Sequence, residues 1–135
     1  MKKQGELPAL GPLGIVVDDD LAVRNSLKFS LEVEGFAVRA YSGAVEVLGD
    51  AELPFSDCLV VDQNKPGMNG LDLIAQFRAR GIAVLAIQVT NYPSAALSQR
   101  AAKAGVAIVE KPFLGTVLVD RIRELFSRRN TAQMN

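Results

Sequence analysis

Three short apolar runs in this chain lead into charged residues. Gly14-Ile15-Val16-Val17 runs into Asp18-Asp19, and Cys58-Leu59-Val60-Val61 runs into Asp62. Lys111-Pro112 comes just after Val106-Ala107-Ile108-Val109. A fourth run, Ala83 to Val89, ends at Thr90. Runs of this kind read as strands buried on both faces of a parallel sheet. Ligands of such sheets bind at the carboxyl ends of the strands. The four runs therefore bring three carboxylates, an ammonium and a hydroxyl to one edge. Clustered carboxylates repel one another unless a hard cation sits among them, and Mg²⁺ prefers such oxygen ligands. A lysine beside them suits a phosphate as second guest.

Amphipathic stretches between the runs must position these groups. Leu21 to Glu34 carries Val23, Leu27 and Leu31 at helical spacing, and Gly35 ends it. Asp20 reads as that helix's cap. Phe36 to Tyr41 reads as a strand, with Ser42 as cap of a short helix containing Val45 and Leu48. Pro66-Gly67-Met68-Asn69-Gly70 is a loop by its turn residues. Leu71, Ile74 and Phe77 mark one face of a helix that Gly81 ends. Pro93 suits the start of a helix to about Ala104, with Gly105 just past its end. Leu114, Leu118, Ile122 and Leu125 mark a last helix. Five strands thus alternate with five helices, an α/β arrangement with a parallel sheet and right-handed crossovers. The expected organisation is a loose leader over 1–12, one domain over 13–127 and a polar tail over 128–135.

Composition excludes several classes. The chain has 135 residues, enough for one core, and equal numbers of basic and acidic residues, 15 of each. Zero net charge argues against direct nucleic-acid binding, which favours a basic excess. Arg121, Arg123, Arg128 and Arg129 read as a solvated helix end. The longest apolar stretch, Ile82 to Ile87, is far short of the ~18 residues that span a bilayer. The N-terminal residues do not read as a signal peptide. The single cysteine, Cys58, excludes an internal disulfide and reads as a buried, inert thiol. These points favour the cytoplasm. The chain has no histidine, which removes His-based triads and His-ligated zinc. A phosphohistidine, if one takes part, belongs to a partner.

The segments V-V-D-D-D, L-V-V-D-x-x-x-P-G-M-N-G, Q-V-T and V-E-K-P-F, in this order, resemble the receiver domain of bacterial response regulators. The resemblance covers roughly residues 13 to 127. It implies a flavodoxin-like (βα)5 fold, a doubly wound five-stranded sheet of order 2-1-3-4-5. It also implies roles. Asp62 is the expected phosphoacceptor. Asp19 is the expected direct ligand of Mg²⁺, Asp18 acts mainly through water, and the Asn64 backbone carbonyl is the remaining protein ligand. Lys111 holds a phosphoryl oxygen, and Pro112 after it is a cis-peptide candidate. Thr90 donates its hydroxyl to the phosphoryl group and moves the following loop, the family's switch.

The sequence departs from the family in places. Asn91 follows the switch threonine where the family is usually small. Ile108 stands where an aromatic toggle is usual. Lys65 replaces an apolar residue before Pro66, and Tyr92 lies at the rim. The expected function is a single-domain, chemotaxis-regulator-like receiver. It takes phosphate from a sensor histidine kinase or histidine phosphotransfer protein, then acts on an output protein or relays the phosphate. The Glu110-Lys111-Pro112-Phe113 segment resembles receivers attached to transcription regulators, so a piece of a longer regulator is also consistent. A homodimer through the fourth helix, last strand and last helix is a further expectation. One rival is a degenerate receiver that works without phosphate, favoured by Asn91 and Ile108. Another is a Mg²⁺-dependent phosphatase with Asp62 as nucleophile. Asn64 occupies the place of its general acid without an ionisable group, and aryl-phosphate turnover would reveal it.

Overall fold

The computed structural model describes residues 11–50, 56–62, 70–90, 94–110 and 117–134. Strands and helices alternate within them: β1 (Leu13–Val17), α1 (Leu21–Val33), β2 (Ala37–Tyr41), α2 (Ala44–Leu48), β3 (Cys58–Asp62), α3 (Gly70–Ala79), β4 (Leu85–Thr90), α4 (Ala95–Lys103), β5 (Ala107–Glu110) and α5 (Val117–Met134). The five strands form one sheet of order β2-β1-β3-β4-β5. All four pairings are parallel. This is the doubly wound order 2-1-3-4-5.

Successive side chains of a strand point to opposite faces, and both faces of this sheet are covered. Ile15, Val17, Leu59 and Val61 pack with Val47, Leu73 and Phe77, on the side of α2, α3 and α4. Val16, Val60, Ile87 and Val89 pack with Leu27, Leu31 and Ile122, on the side of α1 and α5. That is why the central runs are apolar at every position rather than at alternate ones. Phe126 of α5 stacks on Phe36, with ring centroids 6.4 Å apart.

Three helices stop in the same way. Gly35, Gly81 and Gly105 have φ of 96°, 78° and 70°, a left-handed conformation open to glycine at low cost. After α1, Gly35 N donates to Glu32 O at 3.0 Å and Phe36 N donates to Leu31 O at 3.1 Å. The same pair of bonds recurs after α3 (Gly81 to Arg78, Ile82 to Phe77) and after α4 (Gly105 to Ala102, Val106 to Ala101). Each is a Schellman stop whose next apolar residue enters the core.

Some expectations change. Gly43, not Ser42, is the N-cap of α2 and has no side chain to cap with. The helix begins at Ala44, which leaves Ser42 one residue too early. Ser94 caps α4 by accepting from Leu97 N at 3.1 Å, while Pro93 lies outside the described residues. The expected polar tail is helical as far as Met134. Residues 128–134 hold no glycine or proline, and an Arg128–Glu124 pair at 2.9 Å supports the turn. The end of the expected leader is not loose. Pro12 O accepts from Ala37 N at 2.9 Å, and a Cβ on Gly11 would lie 1.8 Å from Gly35 O. At the same amino edge of the sheet, Asp57 clasps β1. Its N–H donates to Leu13 O at 2.8 Å, and its Oδ2 accepts from Leu13 N at 2.7 Å.

Candidate functional site

The register decides what meets at the carboxyl edge. Val17 lies opposite Val61, so Asp18 follows β1 beside the end of β3. Asp62 lies opposite Val89, and Thr90 lies opposite Glu110. One carboxylate oxygen each from Asp18, Asp19 and Asp62 falls within 4.8 Å of the others. Asp18 is fully buried, Asp62 is 9% exposed and Thr90 is 1% exposed, while Asp19 faces solvent. The acidic cluster thus has a buried floor and one open side.

Local bonds hold the Asp18–Asp20 turn. Asp18 N donates to Tyr41 O at 3.1 Å, tying the turn to β2. Asp20 N donates to Asp18 Oδ1 at 2.9 Å. Asp20 Oδ1 accepts from Val23 N at 3.1 Å, so Asp20 is the cap of α1. Its carboxylate is spent on the helix and stays out of the cluster. Arg24, one turn along α1, donates from Nη1 to the Asp18 carbonyl at 2.8 Å.

The donor set suits a hard divalent cation. Mg²⁺–oxygen distances of about 2.1 Å place ligand oxygens roughly 3 to 4 Å apart. Oxygens already within 4.8 Å need only a small closure, or a bridging water, to share such an ion. All three are carboxylates, and a soft metal would favour sulfur or imidazole instead.

Asp18, Asp19 and Asp62 therefore come together, and Thr90 ends the neighbouring strand one residue beyond Val89, the partner of Asp62. Lys111, Asn64, Pro112, Asn91 and Tyr92 lie outside the described residues. Ile108 is half-buried and packs on the α2–α4 side of the sheet. Cys58 is buried in β3. Burial, then the neighbouring Asp57 charge, pushes its thiol up to about 12, far from a nucleophile's range. The basic residues of α5 turn to their own surroundings. Arg121 and Arg128 both pair with Glu124, and Arg123 pairs with Glu34 at 3.0 Å. The structure adds residues that the sequence reading passed over. Arg24 and Asp57 carry no motif. Gln88 had a visible signal, a polar residue inside a run expected to be buried on both faces.

The family model of the response regulator receiver domain matches residues 15–123. The chain belongs to this family. As a receiver it is a signalling domain of two-component systems. It is 38% identical over 115 residues to the transcriptional regulatory protein FixJ of Azorhizobium caulinodans, covering 84% of this chain and 54% of that protein. It is 32% identical over 108 residues to the C4-dicarboxylate transport transcriptional regulatory protein DctR of Rhodobacter capsulatus, covering 78% and 55%. This receiver thus spans about half the length of these curated relatives. Its fold superimposes on a CheY-like receiver from Methanospirillum hungatei JF-1 with a TM-score of 0.79 and 29% identity, over 90% of this chain and 98% of that one. No helix among the described residues is long and apolar enough to cross a membrane.

Proposed function

We propose that this receiver accepts a phosphoryl group on Asp62 from a phosphohistidine of a partner kinase or phosphotransfer protein, in a Mg²⁺-dependent reaction. The observation that carries the reading is the convergence of Asp18, Asp19 and Asp62 within 4.8 Å at the carboxyl edge of the sheet. An Asp62 oxygen forms the bond to phosphorus as the bond from phosphorus to the partner's imidazole breaks, and that imidazole leaves with a proton. Asp18 and Asp19 would hold the cation together with Asp62. A bound Mg²⁺ supplies charge neutralisation for the incoming phosphoryl oxygens. Asp18 forms the buried floor of the site, Asp19 lies on its open side, and Asp62 reaches solvent only slightly between them. Thr90, on the neighbouring strand end, donates its hydroxyl to the phosphoryl group, and Lys111 supplies a positive charge to it.

The phosphorylated state then signals in the cytoplasm to an output partner, or to an output domain like those of the FixJ and DctR relatives. Self-association through α4, β5 and α5 belongs to the same proposal. Ile108 supports a muted response at β5, since a half-buried aliphatic side chain has no polar tip to exchange between core and solvent.

Incubation with a small phosphodonor and Mg²⁺, followed by intact-mass measurement, tests the assignment. One phosphoryl group is expected on the wild type and none on Asp62→Asn. Equal uptake by the two proteins would sink it.

A further inference from the structure

Gln88 lies in the middle of the core, and its side chain makes no hydrogen bond. It is 0% exposed, and neither its Nε2 nor its Oε1 has a partner. A buried amide left unpaired in this way is costly, and native cores hold few of them. An apolar side chain of the same length would fit the apolar run better, so packing does not account for a glutamine here.

Its surroundings point to a use. Alternation along β4 puts Gln88 on the same face as Thr90, one side-chain layer below it. Across the sheet it pairs with Val61, the residue before Asp62. Its carboxamide reaches the first residue of α3. A Cβ on Gly70 would fall 2.8 Å from Gln88 Nε2, 3.2 Å from the Asp62 carbonyl oxygen and 3.2 Å from Val61 Cγ1. The bare Cα of Gly70 therefore leaves room for the amide, and one small space joins the strand of Thr90, the backbone of Asp62 and the start of α3. The first turn of an α-helix carries N–H groups without intrahelical acceptors. The two ends of a carboxamide have nearly the same shape. Rotation about the last bond exchanges the two ends, and a shift of the strand end would then bring Oε1, an acceptor, within reach of that turn.

We infer that Gln88 is a positioning residue that couples the phosphoacceptor site to α3: its carboxamide takes up a hydrogen bond with the first turn of α3 when the site is occupied and Thr90 is drawn towards Asp62. The inference rests on the proposed reaction at Asp62. In the structure the amide is unpaired, and that arrangement carries a cost. In the occupied site the strand end shifts, the amide gains its acceptor role, and the start of α3 is tethered to β4. A signal formed at Asp62 then reaches α3 as well as the loop after Thr90.

Gln88→Met keeps the length and removes the hydrogen-bonding groups. Amide exchange is measured on wild type and variant, with and without beryllofluoride and Mg²⁺, alongside intact-mass phosphate uptake and thermal melts. In the wild type, beryllofluoride should slow exchange at Leu71–Ile74 by about two- to tenfold, the protection one net hydrogen bond supplies. The variant should take up phosphate and bind Mg²⁺ as the wild type does, yet show no such slowing. It should also melt at or above the wild-type temperature, because an unpaired buried amide has been removed. The same slowing in both proteins overturns the inference and leaves the reaction at Asp62 standing. A variant that melts well below wild type, or fails to fold, also overturns it, because the amide would then already be stabilising the empty state; Gln88→Leu checks that result with a second apolar side chain. No phosphate uptake by the wild type overturns both the reaction and the coupling.

Discussion

The Arg24 guanidinium donates to the backbone carbonyl of Asp18 at 2.8 Å, from one turn along α1. It fixes the acidic turn from its backbone and leaves the carboxylates to face the site. A hydrogen bond from a charged donor contributes about 1.5–3 kcal/mol, less at a half-exposed position. Arg24→Ala should cost about 1–2 kcal/mol and lower the melting temperature by roughly 3–8 °C. A thermal melt within a degree of wild type would show that the turn holds itself.

Asp19 and Asp20 are neighbours with separate tasks. Asp19 belongs to the acidic cluster, whereas Asp20 is committed to Val23 N. Asp19→Asn should weaken Mg²⁺ binding strongly in a titration. Asp20→Asn should leave it unchanged and preserve the cap, because asparagine caps as well as aspartate. Asp20→Ala should cost about 1 kcal/mol of stability with no effect on the metal. Equal Mg²⁺ affinities for Asp19→Asn and Asp20→Asn would contradict the division.

Cys58 gives a pH dependence with a definite sign. Burial raises its thiol from 9.0 to about 12 in the folded chain. The folded protein therefore keeps a proton that the unfolded chain releases. The stability this contributes is complete below pH 9 and is lost as pH rises towards 12. Urea midpoints of wild type and Cys58→Ala should converge as pH rises above 9. Parallel curves would refute the buried neutral thiol. Alkylation of the native thiol at neutral pH should be slow and should become fast on addition of denaturant.

Asn91 follows Thr90 in the sequence, at a position where receivers are usually small. Asn91→Ala should speed phosphorylation or dephosphorylation of Asp62 by up to about tenfold, a barrier change of ~1.4 kcal/mol. Stopped-flow phosphorylation and a dephosphorylation time course both read it. If neither rate moves, the side chain does not restrict the approach.

Much of this fold could be read from the residues because its signals are local. An apolar run such as Cys58–Val61 announces a strand covered on both faces. Gly35, Gly81 and Gly105 each mark a Schellman stop, since the left-handed residue and the apolar residue after it are adjacent in sequence. Asp18, Asp19, Asp62 and Thr90 could be gathered at one edge because parallel strands all end on the same side. The cap of α2 was misplaced because Ser42 and Gly43 both precede a five-residue helix with little periodicity to fix its start. The end of α5 is not legible in residues 128–134, because they are polar and polarity does not stop a helix. Arg24, Asp57 and Gln88 act across the fold on backbone groups, and nothing in the sequence alone says which backbone group will lie within reach.

The clasp between Asp57 and Leu13 sits at the opposite edge of the sheet from the acidic cluster, yet it governs that cluster's alignment. Two strands can slide past each other in steps of one residue, and each step inverts the face that every side chain meets. Asp57 grips both the N–H and the C=O of Leu13, so β1 and β3 are indexed from their first residues. Everything downstream inherits that zero point, ending with Asp18 beside Asp62. A slip of one residue would exchange the side chains that meet α1 and α5 with those that meet α2, α3 and α4. It would also break the match between the two carboxylates. The spacing of the chemistry is thus gauged from the far side of the molecule, where no chemistry is proposed.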